Sequence, residues 1–389
     1  MAPLLKLVKK IISPIQEFIQ DSRAVGITLL ACTFISLIVA NTAYGNSYIR
    51  LINTAFHFPA WLHLPHTALH WINDGLMFFF FFLVGMEIKR ELVSGELSNF
   101  KQAILPCAAA VGGMLVPALL FTLINGSTVY NRGWGIPMAT DIAFSLGVAS
   151  LLGKRFPFAL KIFLMALAII DDLGAIIVIA IFYSSTLSTV YLLLSAGIIA
   201  GLFLLQRFKI YHPLLIMVAG IGLWYCVFNS GIHATIAGVV LAIFIPVDRL
   251  PKYEHALHDP VNFIILPLFA LANTAIIIPA NVGSSINSPL SWGIIIGLVI
   301  GKPLGITGIS WLLVRLKLAQ KPADASWPQF IGLGILAGIG FTMSIFITML
   351  AFTNAAFQDV GKIAVLIASF IAIIAGFIYL RALPAAKNL

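Results

Sequence analysis

The sequence predicts an all-α integral membrane protein with twelve spanning helices and inverted-topology repeats, forming one transporter domain over residues 1–389. Three observations carry this. Of the 389 residues, 60% are hydrophobic and only 10% charged, with a mean hydropathy of +1.04, whereas soluble domains run near about 45–50% apolar and about 25% charged. Apolar runs recur at the roughly 20-residue length that a bilayer demands of a helix. Finally, the few charges left inside those runs fall on particular ones.

The first run is 24–43. It follows the basic, amphipathic stretch "MAPLLKLVKKIISPIQEFIQDSR", and it is too long and too poorly furnished with a small-residue cleavage site to be a signal peptide. Next come 71–90, 103–124, 134–151, 158–183 and 187–205. The segment 211–247 is too long for one crossing and divides at "NSG" (229–231) into 211–228 and 231–247. The remaining four are 261–279, 291–314, 328–353 and 360–381. Cys32, Cys107 and Cys226 all lie in apolar runs, where they read as small packing residues rather than a disulfide framework.

Lys and Arg assign the sides. One set of loops carries only Arg50, Arg132 and Lys362, while the opposite set holds basic residues throughout, among them Lys9, Arg90, Arg155, Arg249 and Arg315. The positive-inside rule then places both termini in the cytoplasm, as the even span count also requires. The net charge of +9 is scattered over short loops, so it points to no nucleic-acid partner. The external segment 44–70 carries His57, His63, His66 and His70 at irregular spacing with no thiol or acidic ligands. It reads as an interfacial, oligomer-forming stretch rather than a metal site.

Asp141, Asp171, Asp172 and Lys302 remain near mid-span. Each ionised group there costs about 2.5–3.5 kcal/mol on insertion scales. Four such groups on three spans exceed what a structural ion pair explains. Two spans are also interrupted: "GWGIPMATDIAFSLG" by Pro137, Thr140 and Asp141, and "GILAGIGFTMSIF" by Gly338 and Gly340. They are the middle members of spans 3–5 and 10–12, trios that run in opposite directions. Inverted repeats of this kind hold the ion site of secondary transporters at their interface. Asp141 could offset helix N-termini at the crossing, and Lys302 the C-termini. Adjacent Asp171 and Asp172 project about 100° apart on a helix, so one can face a cavity while the other faces a neighbouring helix. Their ionisations are coupled. A buried carboxylate of this kind is neutralised either by a proton or by a small hard cation, with hydroxyl oxygens such as that of Thr140 as further ligands. Competition between proton and cation at one site, with alternating access, is antiport.

The stretches "FLMALAIIDDLGAIIVIA", "IPMATDIAFSLG", "GIHATIAG", "ILPLFALAN", "GKPLGI" and "GIGFTMSIFI" closely resemble the bacterial NhaA-type sodium/proton antiporters, from the first span to the last. The resemblance implies that Asp172 is the main Na⁺/Li⁺ ligand and proton carrier. It also implies that Asp171 is a second essential carboxylate paired with Lys302, and that Asp141 and Thr140 sit where broken spans 4 and 11 cross. It implies electrogenic, proton-driven export of sodium across the bacterial inner membrane, with no cofactor, and a homodimer formed through a β-hairpin in the region of 44–70. A pH response is implied at Glu87, Arg90 and Glu91 and at Glu254, His255 and His258, which by residue type alone are solvated loop charges. His233 matches a family histidine tied to the pH profile, yet reads as a polar turn residue. Asp74 reads as the N-terminal cap of span 2.

The main rival from the residues alone is a sodium-coupled solute symporter. An intramembrane aspartyl protease would want its carboxylates on facing helices and a G-x-G-D stretch, and the sequence has none. It also has no G-x-x-x-x-G-K-[ST] loop for ATP.

Overall fold

A computed structural model describes residues 24–184, 186–278, 286–322 and 324–384. The amphipathic stretch before residue 24 lies outside them. Helices fill the chain, and extended pairing among the described residues is confined to one isolated bridge, Ala55 with Thr67. Among the described residues, nine helices are long and apolar enough to cross a membrane, and two bent helix pairs bring the number to as many as eleven.

Helix α1 (Ala24–Ala40) turns by 119° into the short α2 (Gly45–Ile52). Span 2 runs as one apolar stretch, Ala68–Ser94, ending in α3 (Met77–Ser94). Then come α4 (Phe100–Asn125), α5 (Ile142–Leu151), α6 (Phe158–Phe182), α7 (Thr189–Arg207) and α8 (Pro213–Ser230). The predicted eighth crossing, 231–247, contains only α9 (Ile236–Ile243). Gly231, at φ 89°, begins a turn that consumes the first residues, and Pro246 precedes a 3₁₀ turn at the other end.

The stretch "PVDRLPKYEHALHD", expected as a loop, is helical. A 3₁₀ turn (Val247–Arg249) leads into α10 (Leu250–Pro260), a π-turn (Val261–Ile265) and α11 (Leu266–Asn273), together a single stretch of spanning length. Pro251 in the first turn is pre-set for a helix start. Further on come α12 (Pro289–Ile296), a π-turn (Gly297–Gly301), α13 (Lys302–Arg315), α14 (Trp327–Ala337), α15 (Phe341–Ala351) and α16 (Ala355–Ala382). Two of the π-turns have an evident cause. Pro267 and Pro303 lack the N–H that would close the preceding turn, and their rings push it wide.

Both predicted broken spans are broken. In span 4 a 3₁₀ segment (Asn131–Met138) gives way to extended backbone at Ala139 and Asp141 before α5 begins. In span 11, α14 and α15 meet at 46° across Gly338–Gly340. The external segment begins with α2 and then closes on itself by a minimal antiparallel pairing about the Ala55–Thr67 bridge, through Phe56 N–H to His66 O (2.8 Å) and Ala68 N–H to Thr54 O (3.1 Å).

Helices α4 and α13 touch backbone to backbone. A Cβ on Gly305 would lie 2.1 Å from Gly112 O, and one on Gly112 would lie 2.4 Å from Gly305 O. Neither position can be relieved by a rotamer change. Gly305→Ala should therefore destabilise the protein by about 1–3 kcal/mol or more, read as a lowered midpoint in detergent melting, whereas Gly308→Ala, with open space around it, should leave the midpoint near wild type.

Candidate ion-binding site

The site is built where the two broken spans cross. Each break leaves backbone groups without intrahelical partners, and in a bilayer core these must be satisfied by protein. They satisfy one another. Asp141 N–H donates to Ile339 O (2.7 Å). The Ser145 hydroxyl on α5 donates to Leu336 O at the end of α14 (2.8 Å), and the Ser344 hydroxyl on α15 donates to Ile136 O in the 3₁₀ half of span 4 (2.7 Å). The two serines occupy the fourth position of their half-helices, so the bonds are reciprocal, as the inverted repeat requires.

The N-terminal ends converge on one side chain. Asp141 caps α5, with Oδ1 accepting from Phe144 N–H (3.2 Å). Its Oδ2 accepts the N–H of Thr342, in the first turn of α15 (2.9 Å), and also the Thr342 hydroxyl. One carboxylate thus faces two positive helix ends. The C-terminal ends are met indirectly. The Thr140 hydroxyl donates to Ala337 O, the last residue of α14 (2.8 Å), and accepts from Lys302 Nζ (2.9 Å).

Lys302 is completely buried, and Nζ also donates to Asp171 Oδ2 at 2.5 Å. A buried pair of this kind is costly unless each charge keeps its partner, and removing one strands the other. Asp171 and Asp172, both on α6 and both buried, turn to different surroundings. Asp172 lines a cavity of about 380 Å³ together with Asp141 and Thr342, whereas Asp171, Thr140 and Lys302 take no part in its walls. Oδ1 of Asp171 and Oδ1 of Asp172 accept no hydrogen bond from any described residue.

Glu87, Arg90 and His258 line the same cavity. Arg90 on α3 is ion-paired with Glu254 on α10 and lies 3.5 Å from Glu91 Oε1. Glu91 Oε2 in turn accepts from Glu96 N–H (3.1 Å). His258 Nδ1 is 3.1 Å from Asp259, and His255 is exposed on the same helix. The acidic and basic candidates therefore form one cluster across α3 and α10, on helices rather than on loops. Further along α15 from Thr342, Phe346 is buried against Phe81 and Phe269 and packs edge-to-face with the His233 ring.

His233 belongs elsewhere, in the turn before α9. Its Nδ1 lies 3.0 Å from Thr235 Oγ1, and its Nε2 lies 3.3 Å from Asp74 Oδ1. Asp74 is not a cap. It sits inside a π-turn (Trp71–Leu76), bridging His233 to His70 Nε2 (2.9 Å), and the side chain that caps this stretch is Thr67, accepting from His70 N–H (3.2 Å). The helix of span 2 begins at Ala68, upstream of the predicted start at 71, so Asp74 lies within it rather than at its end. Sequence reasoning also passed over Ser145 and the partnership of Thr342 with Asp141. The available signal was a hydroxyl shortly after the interruption in both broken spans.

Comparison with known proteins follows the same lines. The profile of the family described as Na⁺/H⁺ antiporter 1 matches residues 16–380. A "Na(+)/H(+) antiporter NhaA 2" of Flavobacterium johnsoniae is 50% identical over 372 residues, covering 94% of this chain and 91% of its own. The "Na(+)/H(+) antiporter NhaA" of Flavobacterium psychrophilum is 48% identical over 379 residues, covering 96% and 97%. That of Bordetella bronchiseptica is 45% identical over 388 residues, covering 96% and 98%. With two broken spans crossing beside a buried aspartate pair, and with likeness along nearly its whole length, this chain is a multi-pass membrane protein that belongs to the Na⁺/H⁺ antiporter 1 family.

Proposed function

We propose that the protein is an electrogenic, proton-driven Na⁺(Li⁺)/H⁺ antiporter of the bacterial inner membrane, in which cation and proton compete for the Asp171–Asp172 pair. One observation carries the reading. Asp172 is buried at a cavity wall with Oδ1 unpartnered among the described residues, while its neighbour Asp171 is held by Lys302. A carboxylate so exposed to a cavity yet removed from bulk water is poised to take either a proton or a small hard cation. The wall residues at the Glu87 end and the Phe346 packing at the other support a conformation open to one side only, which alternating access requires. With Na⁺, Li⁺ and H⁺ as substrates, the chemistry needs no cofactor. Loop Lys and Arg support cytoplasmic termini, and exposed Tyr44 and Trp61 in 44–70 support a homodimer contact there.

The test uses proteoliposomes with an acid interior and a trapped pH-sensitive dye. Added Na⁺ or Li⁺ should release the protons and K⁺ should not, and Asp172→Asn should be silent. Failure of every cation in the wild type would sink the exchanger and leave a solute symporter as the reading to test.

Lys302 is assigned mainly to the fold and to holding Asp171. Lys302→Gln leaves a buried carboxylate without its cation and should cost about 3–5 kcal/mol of stability, measured by melting in detergent, with Na⁺ binding weakened but retained. Normal stability with binding abolished would reverse that division of roles.

The Arg90–Glu254 pair supports a regulatory role for the cluster beside Glu87. Glu254→Gln removes a negative charge and turns Arg90 over to the remaining carboxylates, Glu91 among them, so these hold protons less firmly. The pH of half-activation should move to lower values in the dye assay, and an unchanged or higher value would count against the cluster as the pH-responsive element.

A further inference from the structure

Two threonines stand beside the charged groups, and their hydroxyls are oriented oppositely. Thr140 gives its proton to Ala337 O and presents its oxygen to the Lys302 ammonium at 2.9 Å. A sodium ion needs oxygen at about 2.4 Å, close to the distances of other hard cations. Placed on the Thr140 oxygen, it would sit within about 5 Å of a buried positive charge, and Thr140 does not reach the cavity. Thr342 lies in the cavity wall with Asp172 and Asp141. Its hydroxyl proton is held by Asp141 Oδ2, which turns the oxygen lone pairs away from Asp141 and makes them richer in electron density. Asp172, 1% exposed, brings to the same cavity a carboxylate whose Oδ1 accepts no hydrogen bond from any described residue.

We infer that Thr342 supplies the neutral oxygen ligand to the transported alkali cation, alongside Asp172, and that Thr140 stays with Lys302 as a strut between α13 and α14. Asp141 then has two tasks in one carboxylate: it caps two helices and it orients and polarises the ligand hydroxyl. The cation sits on the cavity side of α6, and Asp171 shares its charge without touching it while Lys302 is in place. This assignment rests on the exchange reading above and specifies its cation site.

The experiment compares wild type, Thr342→Val, Thr342→Ser and Thr140→Val. Each is tested for Na⁺ and Li⁺ binding by calorimetry in detergent, for apparent KM in proteoliposomes and for melting temperature. Thr342→Val should weaken Na⁺ binding and raise its KM by about tenfold, the weight of one polar contact, and should change the Li⁺/Na⁺ affinity ratio. Thr342→Ser should remain close to wild type. Thr140→Val should melt earlier and keep the wild-type Li⁺/Na⁺ affinity ratio. Wild-type affinity in a normally melting Thr342→Val protein overturns the assignment. So does an affinity loss confined to Thr140→Val, or a shifted pH profile with an unchanged Li⁺/Na⁺ ratio, which would mean that Thr342 acts only through Asp141. A wild type that binds cations but moves no protons sinks the exchange reading alone, because the binding comparison still decides the ligand. A wild type that binds neither cation sinks both.

Discussion

Everything in this molecule depends on the mutual satisfaction of four helix ends in a medium that offers no water. Two spans are interrupted at the same depth, and each exposes carbonyls and N–H groups that cost several kcal/mol apiece if left unpaired in hydrocarbon. The solution is local and reciprocal. Ser145 and Ser344 each close a carbonyl of the other span, and Asp141 closes both positive ends. The charge that function needs is thereby drawn from the same inventory that the fold needs. Asp141 is tolerated because two helix N-termini and the Thr342 hydroxyl face it, and Lys302 because Asp171 and Thr140 receive it.

This explains why the aspartate pair can be asymmetric. Successive residues on α6 face about 100° apart, and the surroundings differ accordingly: an ammonium for Asp171, a cavity for Asp172. The arrangement places a carboxyl group paired with an ammonium beside one that faces a cavity, within a single turn of helix. One turn beyond Thr342 on α15, Phe346 packs against Phe81, Phe269 and the His233 ring, so it is held by shape and dispersion.

Much of this was legible in the residues. Apolar run lengths located nearly every span, and buried charge singled out Asp141, Asp171, Asp172 and Lys302. The interruptions in spans 4 and 11 were visible as Pro137 with Asp141 and as Gly338 with Gly340. The failures share a cause. Hydropathy reports burial against lipid but not backbone conformation, so the polar helix α10 looked like a loop. The region 231–247 looked like a full crossing although only Ile236–Ile243 is helical. Asp74 was misread because hydropathy starts span 2 at 71, whereas the more polar residues from Ala68 already belong to the helix that Thr67 caps. Which of Thr140 and Thr342 faces the cavity depends on a crossing of chains almost two hundred residues apart, and no local pattern encodes that.

The π-turns carry a consequence for how such a chain can change in length. A wide turn holds one residue more than an α-turn would, and Gly297–Gly301 lies directly ahead of Lys302. Loss of one residue there would let the helix relax to regular geometry, and because the wide turn also advances by a smaller angle per residue, Lys302 and the residues beyond it would keep their direction. Trp71–Leu76 and Val261–Ile265 stand in the same relation to the rest of their spans, with Asp74 and Asn262 inside the turns themselves. A one-residue insertion or deletion in a regular stretch of membrane helix turns every side chain beyond it by about 100°. At these three places the turn itself absorbs the change, so the chain can drift in length there more freely than in the regular helix on either side.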